Sequence, residues 1–275
     1  MNNKGSIGIF DSGLGGLAIL KDIVKLLPKY NYIYLGDNAR VPYGSRSPEL
    51  IYSFTQKAVD YLFSHNCQLI ILACNTVTAV ALPRIQKEYL PKHYPNRRVL
   101  GVIQPTLEAV TSNGHNRVGL IGTRATVTSN GFVKKVKELS PSVKMFQNAS
   151  PLLVPYIEEG NRNGQILNLI LDEYLKPLLK HKIDSLILGC THYGLVADKI
   201  TKRVGKNVKV ISEGPIVAEK LADYLKRHPE IDKKLSKNRK RTYYVTDLPE
   251  RYTDMARMFL EEMFGKKDRL ELVHL

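Results

Sequence analysis

The stretch Leu69-Ile70-Ile71-Leu72-Ala73-Cys74-Asn75-Thr76 has a near-copy in the second half of the chain, Ser185-Leu186-Ile187-Leu188-Gly189-Cys190-Thr191-His192. Each stretch reads as an apolar strand that ends in a small residue and is followed by a thiol and then by hydroxyl or amide side chains. Groups just past the carboxyl ends of parallel strands line the ligand crevice of an open sheet. The sequence therefore predicts two matched thiols at two matched strand ends, an arrangement that suits two-base proton transfer at a carbon.

Strand and helix patterns alternate along the rest of the chain, which indicates an α/β fold with a mostly parallel sheet. The predicted strands include residues 6–10, 32–35, 69–73, 99–103, 208–211 and 241–245. The predicted helices include residues 17–27, 48–65, 78–90, 105–112, 216–226 and 249–263.

A second pair of similar sequence phrases suggests that the α/β unit is duplicated. The phrase around Gly119 repeats the phrase around Gly8 at an offset of 111 residues, and Cys190 follows Cys74 at an offset of 116. Two unrelated landmarks at nearly the same offset favour a repeated unit over chance similarity between short apolar strands. The turn-rich residues 91–98 are a plausible domain crossing, after which the strand at 99–103 restarts the pattern.

Composition and length exclude several classes of protein. With 43% apolar and 24% charged residues, the chain of 275 residues is a globular protein with room for one large domain or two smaller ones. No segment approaches the roughly 18 unbroken apolar residues of a membrane span. The apolar run at residues 7–10 is too short for the core of a secretory signal, so we expect a cytoplasmic protein. Three cysteines without CxxC spacing predict free thiols, with Cys67 a small buried hydrophobe.

The net charge of +15 favours anionic partners through a long-range field. Much of the excess lies near the C-terminus, in Lys226, Arg227, Lys233, Lys234, Lys237, Arg239, Lys240 and Arg241. No aromatic residue interleaves with this run before Tyr243, so base stacking is not supported. A solvated basic loop is the favoured interpretation, and contact with nucleic acid is expected only as a side activity.

Four residues at strand ends are the candidate catalytic groups. Cys74 and Cys190 both lie where a strand gives way to a helix, and a helix N-terminus favours the thiolate. Asp11 follows the first strand and is either a helix cap or a proton partner for Cys74. His192 stands two residues after Cys190, where it is either structural or a general base. A Cys-x-His pair is a poor zinc signal, and no dinucleotide or P-loop fingerprint is present, so no metal or cofactor is expected.

Three further phrases offer groups that could hold a carboxylate or line a pocket. They are Tyr43-Gly44-Ser45, Gly122-Thr123-Arg124-Ala125-Thr126 and Glu158-Glu159-Gly160. The first two present hydroxyls and backbone donors after predicted strands. The acidic pair is either an exposed helix end or a pocket edge.

The chain resembles the glutamate racemase family, cofactor-independent bacterial enzymes of the aspartate/glutamate racemase superfamily. The matching phrases begin at Phe10-Asp11-Ser12-Gly13-Leu14-Gly15-Gly16 and continue through residues 35–44, 73–76, 121–123, 154–160, 188–193 and 243–246. Several phrases in the right order, over nearly the whole chain, make the resemblance specific.

The resemblance implies a fold of two similar doubly wound, mostly parallel-sheet domains related by pseudo-symmetry, with the active site between them. The C-terminal segment would return to the first domain, which gives a discontinuous domain of residues 1–98 plus 208–275 and a second domain of residues 99–207. The family racemises glutamate without metal or pyridoxal phosphate, supplies D-glutamate for peptidoglycan, and commonly forms homodimers.

The resemblance also implies roles for individual residues. Cys74 would exchange the α-proton on the face of the D-enantiomer with help from Asp11, and Cys190 on the face of the L-enantiomer with help from His192. The residues that would hold the amino and carboxylate groups of the substrate are Asp11, Ser12, Tyr43, Gly44, Asn75, Thr76, Thr123, Thr191 and His192. Glu158 or Glu159 would fill the family's acidic position near the site.

Three positions depart from the family pattern. Gln104 stands where a glutamate is common, Ser150 where a cysteine is common, and Gly194 where a proline is usual. The alternatives are a racemase of another amino acid such as aspartate, a thiol redox protein that uses the same cysteines, and a nucleic-acid-binding protein.

Overall fold

The structure, a computed structural model, describes residues 4–265 and 267–275. Residues 1–3 and 266, which belong to the predicted first domain, lie outside the described residues. The described strands form two sheets, and every pairing between neighbouring strands is parallel.

The first sheet has six strands in the order β10-β9-β2-β1-β3-β4, and the second has four in the order β6-β5-β7-β8. The strands of the first sheet are β1 (Ser6–Asp11), β2 (Tyr32–Gly36), β3 (Cys67–Leu72), β4 (Arg98–Gly101), β9 (Arg241–Val245) and β10 (Leu270–Leu272). Those of the second are β5 (Arg117–Gly122), β6 (Lys144–Ala149), β7 (Ser185–Gly189) and β8 (Lys209–Ile211).

The order β2-β1-β3-β4 in the first sheet has the same arrangement as β6-β5-β7-β8 in the second. The predicted duplication and the α/β class with two similar parallel units are therefore confirmed. The strand before Cys74 (β3) and the strand before Cys190 (β7) occupy equivalent places, each beside the first strand of its unit.

Helices connect these strands and cover both sheets. The longer ones are α1 (Gly16–Leu26), α2 (Pro48–Ser64), α6 (Ile103–Ser112), α8 (Gly131–Leu139), α10 (Gln165–Leu179), α11 (Ala197–Val204), α12 (Glu213–Arg227) and α14 (Arg251–Leu260). The shorter ones are α3 (Asn75–Val80), α4 (Leu82–Arg84), α5 (Leu90–His93), α7 (Arg124–Ser129), α9 (Leu153–Glu158) and α13 (Pro229–Asp232). Single 3₁₀ turns lie at Asn38–Arg40, Tyr43–Ser45 and Glu261–Met263, a longer 3₁₀ segment at Thr191–Val196, and a π-turn at Ile85–Tyr89.

The core consists of apolar layers on both faces of each sheet, which explains why the central strands read as continuous apolar runs. Helices α1, α12 and α14 pack on one face of the first sheet, and α2 packs on the other. Helices α10 and α11 cover one face of the second sheet, and α6 and α8 cover the other. Because both faces are covered, the carboxyl edges of the strands are the places left for a ligand.

Two sequence-based expectations are corrected. The strand predicted at 99–103 does not begin the second unit: β4 pairs with β3 at the edge of the first sheet, since a short crossover returns the chain beside the strand it left. Strand β8, which falls within the predicted first domain, pairs with β7 in the second sheet. The domain division at residues 98 and 208 stays a prediction.

The helix predicted at 78–90 begins instead at Asn75, directly after Cys74, and is interrupted after Val80. Pro83 and Pro91 lie in the short segments that follow, and proline lacks the amide hydrogen that a continuous helix needs.

Gly16 at the start of α1 lies against the end of β1, and this contact carries a stability prediction. A Cβ at Gly16 would lie 2.5 Å from Asp11 Cβ and 3.1 Å from Ala73 Cβ. We expect Gly16→Ala to lower the free energy of unfolding by about 1–3 kcal/mol because the helix must shift away from the strand. Gly194→Ala is the matched control, since a Cβ there meets nothing within 4 Å. Urea unfolding compares the two, and equal stability of both variants would contradict the packing argument.

Candidate active site

A cavity of about 330 Å³ lies between the carboxyl edges of the two sheets. Its lining contains both predicted catalytic cysteines, Glu158, and the predicted binding residues Ser12, Tyr43, Gly44, Asn75, Thr76, Thr123, Thr191 and His192. Asp11 is not part of the lining. The structure thus brings residues from six separate phrases of the sequence to one site.

Cys74 caps the short helix α3 from the end of β3 and is 6% exposed. Its Sγ lies 3.4 Å from the Ser12 hydroxyl. Burial, together with the negative charge of Asp11, raises the pKa of Cys74 to about 12, although Ser12 and the Val77 amide act in the opposite direction. The helix N-terminus, through the Val77 amide, acts in the direction that the sequence predicts, but its effect is the smaller one. Burial outweighs the helix, so Cys74 is a thiol at neutral pH.

Asp11 ends β1 and is almost fully buried. Its Oδ2 accepts a hydrogen bond from the Gly13 amide at 2.9 Å, while Oδ1 is buried without a partner among the described residues. Burial raises the pKa of Asp11, and His192 and the amides of Gly13 and Gly16 lower it by less. The carboxylate lies close enough to Cys74 to influence its ionisation, as a proton partner must.

Cys190 stands in a row of three groups that face the cavity. His192 Nδ1 lies 3.8 Å from Cys190 Sγ, and His192 Nε2 lies 3.0 Å from Glu158 Oε1. The contact with Glu158 has the distance of an ion pair but not the alignment of a hydrogen bond. Burial lowers the pKa of His192, but Cys190 and Glu158 together outweigh burial and raise it to about 10. At neutral pH the ring is therefore an imidazolium beside the sulfur of Cys190.

The structure separates the two acidic residues that the sequence could not distinguish. Glu158 lines the cavity and contacts His192. Glu159 points away from the cavity, is 64% exposed at its side chain, and pairs with Arg251 at 2.9 Å. The position next to the site belongs to Glu158.

Two glycines allow the sheets to approach each other around the cavity. A Cβ at Gly15 would lie 2.3 Å from the Thr191 hydroxyl, and one at Gly44 would lie 2.6 Å from Thr123 Cβ. In both cases a loop of the first sheet lies against a strand-end residue of the second. The glycine-rich loop after β1 therefore serves close contact between the units.

Three threonine hydroxyls form a cluster across the same boundary. Thr76 Oγ1 lies 2.9 Å from Thr123 Oγ1 and 3.2 Å from Thr126 Oγ1. The Thr123 hydroxyl also caps α7 by accepting from the Thr126 amide at 3.2 Å. The cluster holds the hydroxyls of Thr76 and Thr123 at the cavity wall. Thr126 belongs to a candidate phrase of the sequence but was not assigned a role of its own.

Tyr43 is positioned by a buried carboxylate that sequence analysis missed. Its hydroxyl donates to Asp37 Oδ2 at 2.5 Å, and Asp37 also accepts from Arg40 at 3.0 Å and from Thr246 at 2.8 Å. Thr246 follows β9, so the returning C-terminal segment helps to shape the site. Asp37 stands directly after β2, the strand-end position that marks the other site residues.

Two more residues near the site were not assigned a role from the sequence, although Arg124 belongs to a candidate phrase. Arg124, in the phrase after β5, lines the cavity and places a cation there. Glu213 lies two residues after β8 and is buried against Asn75, with 2.5 Å between Asn75 Nδ2 and Glu213 Oε2. Their strand-end positions are the signal that could have identified both.

The three departures from the family pattern fall in different surroundings. Ser150 lines the cavity wall and is buried, with its hydroxyl 2.7 Å from the Tyr193 hydroxyl and 3.1 Å from the Gly122 carbonyl. Gln104 is exposed and donates to Glu108 at 2.9 Å, outside the cavity lining. Gly194 borders a second, smaller cavity of about 80 Å³ behind Cys190.

The predicted basic segment is partly neutralised. Lys237 pairs with Asp232 at 2.6 Å and Arg227 with Asp223 at 2.8 Å.

No helix in the described part of the chain is both long and apolar enough to cross a membrane. Within residues 4–265 and 267–275, no group of three or more His, Cys, Asp or Glu side chains is arranged to hold a metal ion, and the three cysteines are free thiols.

Comparison with known proteins places these features in a family context. The model of the Asp/Glu/Hydantoin racemase family matches residues 7–221. A glutamate racemase of Geobacter metallireducens is 38% identical over 264 residues, which cover 94% of each chain. A glutamate racemase of Neisseria meningitidis is 36% identical over 98% of this chain and 96% of its own length. The crystal structure of a glutamate racemase from Francisella tularensis in complex with D-glutamate matches with a TM-score of 0.88 at 34% identity, over 100% of this chain and 98% of that chain.

Proposed function

This chain belongs to the Asp/Glu/Hydantoin racemase family and is an amino-acid racemase, and we propose that it interconverts L-glutamate and D-glutamate with two cysteines and no cofactor. One observation carries the proposal. Cys74 and Cys190 follow equivalent strands of two similar units and line the same cavity, each with its own ionisable neighbour. Glutamate is the substrate named for the relatives that match nearly the whole chain.

The surroundings of the two cysteines support a definite starting state. Burial and Asp11 favour the thiol of Cys74 by raising its pKa to about 12. On the other side of the cavity, the imidazolium of His192 lies 3.8 Å from the sulfur of Cys190. In the proposed starting state, Cys74 is the thiol on one side of the substrate and Cys190 is the base on the other.

The proton transfers follow from this state. The Cys190 thiolate takes the α-proton of L-glutamate and becomes a thiol, leaving the electron pair on the α-carbon and its carboxylate. The Cys74 thiol then gives its proton to the opposite face, which forms D-glutamate and a Cys74 thiolate. Asp11 assists Cys74 and His192 assists Cys190, each by exchanging a proton with the adjacent sulfur or by acting on it through its charge. The reverse direction starts from the state in which Cys74 carries the negative charge.

Polar groups around the cavity would hold the substrate in place. We assign this role to Ser12, Tyr43, Gly44, Asn75, Thr76, Thr123, Thr191 and His192, which line the cavity, and to Asp11, which precedes Ser12 outside the lining. The hydroxyl cluster of Thr76 and Thr123 and the hydroxyl of Ser12 lie on the cavity wall as fixed donors. Fixed donors stabilise negative charge that develops on the carboxylate, which is the largest single aid to such reactions.

The α-hydrogen of an amino acid is a weak acid, so several effects must act together. A positioned general base contributes roughly 10²–10⁴-fold. The cavity adds fixed donors and excludes water, which strengthens every charge interaction within it. Both cysteines are buried, at 6% and 9% exposure, and therefore meet the substrate in such an environment.

We further propose that the product is D-glutamate for peptidoglycan, made in the cytoplasm by a homodimer. Three exposed apolar side chains on the second unit support a covered surface there: Leu152, Ile166 and Leu169, each at least 60% exposed. Ile166 and Leu169 share one face of α10 because they are three residues apart. Light scattering of the purified protein tests the dimer.

The experiment that tests the function follows the α-proton in heavy water. We expect the reduced enzyme, without added cofactor, to replace the α-proton of L-glutamate with deuterium and to bring the circular dichroism signal to zero. Proton NMR and circular dichroism on the same sample measure both changes. The physical reason is that each inversion delivers a proton from a thiol that exchanges with solvent.

L-aspartate under the same conditions is the control for specificity. Faster exchange of aspartate than of glutamate would reassign the substrate within the same mechanism. Absence of exchange with both amino acids would overturn the roles of the two cysteines. A reversible disulfide with a defined potential in the active enzyme would favour a thiol redox protein instead.

A further inference from the structure

Glu213, the first residue of α12, is a carboxyl group buried behind the cavity wall at 4% exposure. Its Oε2 lies 2.5 Å from the side-chain nitrogen of Asn75, and its Oε1 lies 3.3 Å from the Thr106 hydroxyl. Asn75 directly follows Cys74 and lines the cavity. Glu213 itself does not line it, so any influence on the reaction passes through Asn75.

The hydrogen bonds around Glu213 fit a neutral carboxylic acid. Thr106 has one hydroxyl proton, and its closest acceptor is the Val102 carbonyl at 2.8 Å. The Thr106 oxygen is then free to accept, so a proton on Glu213 Oε1 has a partner. Oε2 carries no proton in this arrangement and accepts from the Asn75 amide.

We propose that Glu213 is a positioning residue that holds the Asn75 side chain by accepting from its NH₂ group, so that the Asn75 carbonyl oxygen is presented to the substrate. This rests on the proposed function, in which Asn75 belongs to the substrate-binding groups. The carbonyl oxygen Oδ1 is buried and has no hydrogen-bond partner among the described residues. An oxygen acceptor is what the α-ammonium group of an amino acid needs, whereas an NH₂ group in its place would repel it.

Among the residues that the structure describes, the groups that face Glu213 supply no cation. They are the Asn75 amide from α3, the Thr106 hydroxyl from α6, and Asp22 of α1 and Cys190 beyond β7, which border the small cavity next to Glu213. Glu108, the single charged residue of α6, is paired with Lys220 at 2.9 Å. Burial raises the pKa of Glu213 to about 8, and the contacts with Asn75 and Thr106 lower it by less. The acid is therefore neutral at pH 7 and below.

Two substitutions at Glu213 separate the hydrogen bond from the charge. In Glu213→Gln the amide oxygen still accepts from Asn75 and the NH₂ group donates to Thr106, so we expect kcat and KM within about threefold of the wild type at pH 7. In Glu213→Ala the Asn75 amide loses its acceptor and turns. We expect KM for glutamate to rise roughly 10- to 100-fold with a smaller change in kcat.

A double-mutant cycle shows whether Glu213 acts through Asn75. Glu213→Ala is introduced into wild type and into Asn75→Ala, and kcat/KM is measured for all four proteins. In the Asn75→Ala background, we expect the Glu213 substitution to change kcat/KM by no more than about twofold. The reason is that the effects of substituting two residues of one hydrogen-bond network do not add. Asp22→Asn is the matched control: Asp22 is another partly buried carboxyl on the small cavity, has no bond to Asn75, and should leave kcat/KM unchanged.

Stability against pH provides a readout that does not depend on activity. The pKa of Glu213 is about 8 in the folded protein and about 4.5 in the unfolded chain. Its contribution to stability is therefore fully present below pH 4.5 and is lost as pH rises to about 8, because the unfolded state ionises first. Between pH 5 and pH 8, we expect the urea midpoint of the wild type to fall relative to that of Glu213→Gln. Above pH 8, the difference between the two midpoints should stay constant.

The outcomes distinguish this inference from the proposed function. If the wild type does not racemise glutamate, the proposed function fails, and the urea midpoints still report the state of Glu213. If the wild type is active, three results each overturn the inference: an unchanged KM in Glu213→Ala, a full additional loss in the Asn75→Ala background, or a Gln variant as impaired as the Ala variant.

Discussion

Replacing either Cys74 or Cys190 with serine is expected to lower kcat/KM for glutamate by about 10²–10⁴-fold. A serine hydroxyl is a far weaker acid than a thiol, so it cannot supply the anion that removes the α-proton. It also gives up a proton less readily on the opposite face. Because each turnover needs both groups, either substitution alone is sufficient. Circular dichroism of L- and D-glutamate solutions measures the rates.

The loss must be the same in both directions. The two enantiomers have equal free energy in water, so the equilibrium constant is one and kcat/KM is equal for L- and D-glutamate in every variant. The separate kcat and KM values can differ. A variant that retains near-normal turnover in either direction would refute the two-base assignment.

Cys67→Ser is the matched control for these substitutions. Cys67 is fully buried at the start of the strand that leads to Cys74, and it does not line the cavity. We expect an unchanged kcat per folded molecule and a free energy of unfolding lower by about 1–3 kcal/mol, because a hydroxyl replaces a thiol in an apolar layer. Equal losses of activity in all three serine variants would point to a general effect of serine on folding.

The second large effect is expected at His192. Replacement by glutamine removes the imidazolium that faces Cys190 and should lower kcat/KM by about 10²–10³-fold, within the range of a general acid or base. In the wild type, activity should fall as pH rises through about 10, where the ring loses its proton. This loss should be absent in the variant. Initial rates between pH 7 and pH 11 measure both effects.

Glu158 and Glu159 provide a matched pair for the same experiment. Glu158→Gln removes the negative charge 3.0 Å from the His192 ring, a charge that helps to keep the ring protonated. The expected loss in kcat/KM is therefore roughly 10- to 100-fold. Glu159→Gln alters only an exposed pair with Arg251 and should leave kcat/KM unchanged. The reverse ranking of the two glutamine variants would contradict the assignment of Glu158.

Local patterns predicted much of the fold because parallel strands with both faces covered are continuous apolar runs. The strand before Cys74, the strand before Cys190 and the order of units were therefore visible in the chain. The pattern did not show which sheet each strand joins. Strand β4 (Arg98–Gly101) was placed in the wrong unit, since pairing with β3 depends on the path of the connection through space.

The same limit applies to the candidate site. Residues at strand ends, such as Asp11, Ser12 and Thr123, could be selected because the carboxyl edges of parallel strands meet the ligand. Asp37 and Glu213 occupy comparable strand-end positions and were not selected, and Arg124 was named only as part of a candidate phrase. Their significance depends on which side chains lie opposite them, and those partners come from distant parts of the chain.

By itself the sequence determined that two thiols stand at matched strand ends of a repeated α/β unit, because this follows from the order of apolar and small residues along the chain. Only the tertiary structure decided the chemical state of these groups. It buries Cys74 beside Asp11, places His192 between Cys190 and Glu158, and turns Glu159 to solvent. Ionisation depends on burial and on charges a few ångströms away, and both are properties of packing between segments that are remote in sequence.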